Sequence, residues 1–209
     1  VEPTAPVLVQ VVRGDIVEAQ HRGDVAIVGS GGALRASLGA ADRLISLRSA
    51  IKPFTAVAVL MAAESTGAEM GSDAIALSAA SHAGADEHVA VAEAMVERYR
   101  LDPELLVHGR PSPLRSGSSG SLLQHMCSGQ HLSLLLLAQA LGVDARGYDD
   151  YAHPVQKRLR AVVGELLGTD LDAAPWGMDG CAIPTYAVPL QVAAEGARRW
   201  ANPDALSLI

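Results

Sequence analysis

The stretch up to Leu38 constrains the fold most, because it breaks into short β-like runs joined by very short connections. Connections such as Gly14-Asp15 and Gly23-Asp24 are too short for a parallel crossover, so they predict antiparallel hairpins. Helical patterns follow these runs instead of alternating with them, which favours an α+β arrangement with an antiparallel sheet and packed helices. The four runs are Val7–Arg13, Ile16–Arg22, Val25–Gly29 and Ala33–Leu38.

The rest of the chain predicts several helices within a single domain spanning residues 1–209. The short apolar run Ala74–Ser81 is interpreted as a strand that ends in a loop, which presents the side chain of Ser81. Residues 108–121, rich in serine, glycine and proline, are expected to form a flexible surface loop, and Trp176–Thr185 a further loop. The predicted helices start near Ser49 and cover Glu87–Tyr99, Leu132–Leu141, Pro154–Leu167 and Pro189–Trp200.

The charge balance limits the possible partners. The 209 residues include 16 basic and 23 acidic side chains, for a net charge of −7. An acidic chain is a poor partner for nucleic acid or an anionic membrane, so we expect a small-molecule ligand. No apolar run reaches the length of a membrane span, and the start lacks a signal-like segment, so the expected location is the cytoplasm.

The two cysteines, Cys127 and Cys181, are too few for a disulfide framework in a chain of this size. In a reducing compartment they could be core residues, metal ligands or catalytic thiols. The sequence pattern around them does not choose among these three roles.

A Ser-x-x-Lys pattern, Ser49 and Lys52, opens the first long apolar helical segment. Residues three apart share a helix face, and a serine hydroxyl needs a neighbouring base to become a good nucleophile. Lysine is rare here, since Lys157 is the only other one, which suggests that an amine is needed at this position. The alternative is that Ser49 caps the helix and Lys52 is an exposed residue of its first turn.

This Ser-x-x-Lys pattern is part of the first of five motifs that occur in order along the chain. The motifs are Arg48-Ser-Ala-Ile-Lys-Pro-Phe54, Ala80-Ser-His-Ala-Gly84, Cys127-Ser-Gly-Gln-His131, His153-Pro-Val-Gln156 and Asp179-Gly-Cys-Ala-Ile-Pro-Thr185. Together with Arg13-Gly-Asp-Ile-Val-Glu18 near the start, they resemble the bacterial asparaginase II family, the rhizobial-type, class 3 L-asparaginases. The resemblance implies a fold similar to that of serine β-lactamases and penicillin-binding proteins, with a Ser-Lys site and an adjacent zinc ion.

The resemblance implies a role for each matching residue. Ser49 matches the nucleophile, Lys52 its base and Ser81 a second active-site serine, while Cys127 and Cys181 match the metal thiolates. Arg48 and Asp179 match residues of the substrate pocket, where they would complement the carboxylate and the ammonium of an amino acid. The alternatives for these last two are a surface ion pair and a turn aspartate.

Departures from the family pattern qualify these roles. Gln130 stands where the family has a lysine that binds zinc, and Met126 stands where it has an asparagine. An amide oxygen is a weak zinc ligand, so zinc affinity should fall unless His131 substitutes. Family members also continue past the equivalent of Ile209, so we expect this chain to span their N-terminal two-thirds and to form the fold incompletely. The lysine that would pair with Ser81 is then missing.

Two functions follow from these observations. The first is hydrolysis of L-asparagine to L-aspartate and ammonia by a protein that we expect to be a homodimer. The second is a truncated or diverged, non-catalytic member that binds a ligand or a partner. A β-lactamase-like hydrolase fits the Ser-x-x-Lys pattern, but the two cysteine motifs and the absence of a Lys-Thr-Gly triad disfavour it.

Overall fold

The computed structural model describes residues 4–109 and 120–202 and has a mixed α+β architecture, as predicted. The loop expected at residues 108–121 falls mostly outside the described residues. The described strands are β1 (Val7–Arg13), β2 (Ile16–Arg22), β3 (Val25–Val28), β4 (Leu34–Leu38), β5 (Leu44–Ser46), β6 (Trp176–Met178) and β7 (Pro184–Pro189). The described α-helices are α1 (Lys52–Ser65), α2 (Ser72–Ala79), α3 (Asp86–Tyr99), α4 (Ser128–Ala140), α5 (Pro154–Leu167) and α6 (Leu190–Ala201).

The chain forms two compact units, and the first comprises residues 1–46, 166–169 and 187–209 as far as they are described. Strand β1 pairs with β2, and β3 pairs with β4, both antiparallel, so the hairpin predicted at Gly14-Asp15 is confirmed. The hairpin predicted at Gly23-Asp24 is wrong, because β2 and β3 belong to separate two-stranded sheets. In the first hairpin Arg13 lies opposite Ile16, and Gly14 takes a φ of 57°, a backbone conformation that favours glycine. Helix α6 packs against β3, and β5 pairs with the last residues of β7.

Both hairpins carry apolar side chains that remain exposed. In β1 and β2 nearly every residue is exposed, including Val12 and Ile16, which are 59% and 67% exposed. An exposed apolar surface is typical of a protein that associates with another molecule. The expected homodimer stays a prediction.

The second unit comprises residues 47–165 and 170–186 and is built around α4. Eleven of the 13 residues of α4 are buried, because its Leu132–Leu137 run is apolar on all sides. Helices α1, α2 and α3 all pack against α4. The buried α4 therefore fixes the positions of the helix ends that surround it.

Two segments differ from the sequence-based predictions. Ala74–Ser81 does not form a strand, because Ser72–Ala79 is helix α2. A short apolar run does not distinguish a strand from a buried helix, and the alanines of this run favour the helix. Trp176–Thr185 is not a loop throughout, because β6 pairs with the first residues of β7 in a hairpin.

The described helices include none that is long and apolar enough to cross a membrane.

Candidate functional site

Lys52 is the centre of the candidate site. It is the first residue of α1, it is only 1% exposed, and its Nζ donates a hydrogen bond of 2.8 Å to Ser81 Oγ. The same amine donates to Cys127 Sγ at 3.3 Å. A buried amine is expensive unless it is hydrogen-bonded, and these two partners meet that requirement. The alternative of an exposed first-turn lysine is therefore wrong.

Ser49 lies in a single 3₁₀ turn, Arg48–Ile51, directly before α1. It is exposed, and its carbonyl accepts a hydrogen bond from the Lys52 backbone N–H. No side chain makes a capping hydrogen bond at the start of the 3₁₀ turn or of α1. The alternative prediction, that the Ser49 hydroxyl caps the helix, is therefore wrong. Ser49 and Lys52 are thus adjacent along the turn, but the lysine amine is directed at Ser81.

Ser81 follows α2 by two residues and is exposed on the surface. Its hydroxyl contacts the Lys52 amine, although the two residues are 29 positions apart in sequence. From the sequence we expected no lysine partner for Ser81. In the structure Lys52 is that partner. A serine hydroxyl within hydrogen-bond reach of an amine is a geometry in which a base can activate a serine.

Arg48 holds its backbone in an unfavourable conformation beside Ser49. Its φ is 43°, in the left-handed region that costs an L-residue about 1–2 kcal/mol. Its backbone N–H donates to Thr185 Oγ1 at 2.9 Å, which secures the turn. A Cβ atom on Gly180 would lie 3.5 Å from Arg48 Nη2, so the guanidinium is beside the turn that joins β6 to β7.

Asp179 organises that same turn. Its Oδ1 accepts hydrogen bonds from the backbone N–H groups of Cys181 at 2.8 Å and Ile183 at 3.3 Å. The proposed alternative, a turn aspartate, is therefore present. Asp179 is half-buried in this role, and it belongs to the turn beside which the Arg48 guanidinium lies.

Cys127 and Cys181 are both free and buried, and each thiol shifts the pKa of the other. The Cys181 thiol, together with the nearby Lys52 amine, lowers the pKa of Cys127 to about 6. The pairing and burial raise the pKa of Cys181 instead. Of the two, Cys127 therefore carries the first negative charge, and it does so beside Lys52.

The other two residues of the predicted zinc site, Gln130 and His131, are both on α4 and are 3% and 0% exposed. His131 uses Nδ1 in a 2.5 Å hydrogen bond with the Tyr148 hydroxyl, and burial lowers the pKa of this histidine well below its ordinary value. Within residues 4–109 and 120–202, no three His, Cys, Asp or Glu side chains converge on a position that could hold a metal. Zinc binding at Cys127 and Cys181 stays a prediction.

A group of histidine rings around the site was missed by the sequence analysis, which singled out His131 alone. His108 stacks on His125 with ring centroids 4.1 Å apart, and it meets His131 edge-on at 4.7 Å. His82 stacks on His88 at 5.2 Å. A compositional signal exists, since five of the seven histidines fall between residues 82 and 131.

These buried rings predict that acid destabilises the protein. Burial lowers the pKa of His82 and of His108 to about 4. Below pH 6.5 the unfolded chain binds protons on these rings that the folded chain does not bind, so the free energy of unfolding should fall as the pH decreases from 6.5 to 4. The free energy of unfolding, measured by denaturant titration across this range, checks the slope.

Substitution identifies the rings responsible. The double variant His82→Asn with His108→Asn should show a much shallower slope, whereas His21→Asn, at an exposed position on β2, should keep the original one. An unchanged slope in the double variant would show that other groups cause the acid sensitivity.

One of two comparisons with known proteins identifies a family for this chain. The family model described as L-asparaginase II matches residues 9–207, which is nearly the whole chain. A comparison with curated protein sequences gives no significant match. The matched range includes the serines, the lysine and both cysteines of the site. The chain belongs to the L-asparaginase II family.

Proposed function

We propose that the protein hydrolyses L-asparagine to L-aspartate and ammonia with a serine that Lys52 activates. Family membership supports an asparaginase-like amidohydrolase. The observation that carries the mechanism is the 2.8 Å contact between the buried Lys52 amine and the exposed Ser81 hydroxyl. A serine needs such a base, and a lysine serves as one only where water is excluded.

Lys52 can serve either of two serines. Ser81 already accepts its hydrogen bond, whereas Ser49 would require the amine to turn away from Ser81. Ser49 matches the nucleophile in the family pattern, and its hydroxyl is exposed at the start of α1. We assign attack to one of these two hydroxyls and proton transfer to the amine that they share.

The reaction balances with these groups. The serine oxygen attacks the side-chain amide carbon, and its proton passes to neutral Lys52. The amine returns that proton to the leaving nitrogen, which departs as ammonia and leaves an ester on the serine. Water then attacks the ester, with Lys52 again taking and returning a proton, and releases aspartate.

Cys127 is the second partner of the Lys52 amine, which donates to its Sγ at 3.3 Å. The Cys181 thiol and the Lys52 amine lower the pKa of Cys127 to about 6, so this sulfur favours the thiolate form beside the amine. In this proposal Cys127 orients the Lys52 amine through that hydrogen bond and does not attack the substrate.

The substrate would be held by Arg48 and Asp179. An exposed guanidinium binds a carboxylate through two hydrogen bonds, and a carboxylate pairs with an ammonium group. These two side chains flank the same turn, so they provide both charges that the main-chain end of asparagine requires.

Ammonia release decides between hydrolysis and simple binding. The unmutated protein should release ammonia from L-asparagine, and Lys52→Met, which keeps the length of the side chain but not its amine, should not. Glutamine serves as the comparison substrate. Should calorimetry show asparagine binding without ammonia release, the non-catalytic alternative would be correct and this proposal wrong.

Zinc is predicted to depend on position 130. Gln130 stands where the family has a lysine that binds zinc beside the two cysteines. If this difference weakens zinc binding, then Gln130→Lys should raise the metal content of protein purified without chelator toward about one zinc per chain. Elemental analysis measures this ratio. A neutral lysine amine offers a lone pair, which the amide nitrogen of Gln130 does not.

Two further variants make this result specific. Gln139→Lys adds a lysine at an exposed position of the same helix and should leave zinc content unchanged. His131→Ala should remove any zinc that the unmutated protein carries, if this histidine substitutes as a ligand. Equal zinc content in Gln130→Lys and the unmutated protein would disprove the role of this position.

A further inference from the structure

The loop that carries Ser81 is held by the side chain of the next residue. His82 lies between α2 and α3, and its backbone N–H donates to the Met126 carbonyl at 3.1 Å. Its ring makes two more hydrogen bonds, one between Nε2 and Ser128 Oγ at 2.9 Å, and one between Nδ1 and the Gly84 N–H at 3.1 Å. The ring therefore joins the loop to the start of α4.

The partners fix the protonation state of this ring. The Ser128 hydroxyl has one proton, which it donates to the Leu123 carbonyl at 2.9 Å, so His82 Nε2 must be the donor in its own bond to Ser128. The Gly84 N–H makes Nδ1 an acceptor. In the neutral ring Nε2 donates one hydrogen bond and Nδ1 accepts one. A second proton, on Nδ1, would point at the Gly84 N–H, which is itself a donor.

The surroundings favour the same neutral form. His88 stacks on the ring, and the Lys52 amine and the His125 ring lie near it. Burial and these three groups lower the pKa of His82 to about 4. Gly84 cannot readily move away, because its φ is 68° and a Cβ on it would lie 2.4 Å from the Gln124 carbonyl oxygen.

We propose that His82 is a positioning residue for Ser81, and that its neutral ring holds the loop so that the Ser81 hydroxyl stays on the Lys52 amine. The inference rests on the proposed function insofar as it takes Ser81 as a reactive serine. It adds a residue that touches neither the substrate nor the reacting atoms. Loss of the ring leaves both reacting groups present but displaces one from the other, and small displacements of this kind lower rates strongly.

A probe that needs no asparagine tests this directly. An alkyl fluorophosphonate forms a bond between phosphorus and an activated serine oxygen, with loss of fluoride and transfer of the serine proton to the base. Peptide mass spectrometry gives the labelling rate at Ser81. His82→Ala should lower this rate about tenfold or more, a fraction of the roughly hundredfold that misplacement by 1 Å costs.

Matched variants separate positioning from a general loss of structure. His82→Asn keeps an acceptor near the Gly84 N–H and should recover part of the labelling rate. His153→Asn is the control, because His153 likewise accepts a hydrogen bond from the N–H two residues later, at 3.2 Å, but in the segment before α5. It should label Ser81 at the unmutated rate.

The outcomes are decisive in both directions. Equal labelling rates in His82→Ala and the unmutated protein, or no labelling of Ser81 in the unmutated protein, would overturn the inference. If His82→Ala fails to fold, nitrogen NMR of the unmutated protein decides, because a cationic ring or a proton on Nδ1 at pH 7 would also overturn it. Labelling that depends on His82 without hydrolysis of asparagine would confirm the inference and disprove the proposed substrate.

Discussion

Replacing Lys52 by alanine is expected to lower the rate of ammonia release from asparagine about 1,000-fold or more, the range that loss of a general base produces. The effect should be this large because the amine is buried, 1% exposed, and no other lysine amine in the described residues contacts Ser81. Replacing the attacking serine should have an equal effect. The double variant should then be little worse than either single one, since members of a catalytic unit act together.

The serine substitutions rank the two candidate nucleophiles. Ser49→Ala and Ser81→Ala are compared with Lys52→Ala under identical conditions, and the serine whose loss matches that of the lysine is the nucleophile. Lys157→Ala is the control, because Lys157 is the other lysine of the chain and is exposed on α5. Substantial and equal activity in all three site variants would exclude the Ser-Lys mechanism.

Much of the fold could be predicted from local patterns. The connection Gly14-Asp15 locates the first hairpin, because a short turn that contains glycine favours antiparallel pairing of the flanking strands. The equally short connection Gly23-Asp24 does not form a hairpin, since β2 and β3 belong to separate sheets. The helix at Pro154–Leu167 was predicted with the bounds that the structure shows, since proline suits a first turn and the apolar spacing is regular. Local chemistry determines both of these features.

The partner of Lys52 could not be predicted, because it depends on packing between segments distant in sequence. Ser49 is three residues away and shares the turn, yet the amine contacts Ser81 at the end of α2. Predicting this required the position of α2, and the run Ala74–Ser81 was interpreted as a strand. The same long-range packing brings the histidine rings together, a grouping that spacing along the chain does not indicate.

Gly129 is where that packing is closest, and Gly129→Ala is expected to destabilise the protein by about 3 kcal/mol or more. A Cβ atom at this position of α4 would lie 2.3 Å from the Leu77 carbonyl oxygen and 2.6 Å from Leu77 Cγ. The carbonyl belongs to the backbone of α2, so α2 itself must move to make room. The higher helix propensity of alanine, about 1 kcal/mol, does not offset this clash.

The displacement of α2 should also reach the site, since Ser81 follows this helix by two residues while Lys52 is held on α1. Gly129→Ala is therefore expected to lower the melting temperature by about 6–12 °C and, well below the new midpoint, to slow labelling of Ser81 as well. Gly177→Ala is the matched control, because a Cβ on Gly177 meets nothing within 4 Å. A stable Gly129→Ala protein with unchanged labelling would show that the close approach of α2 and α4 does not set the position of Ser81.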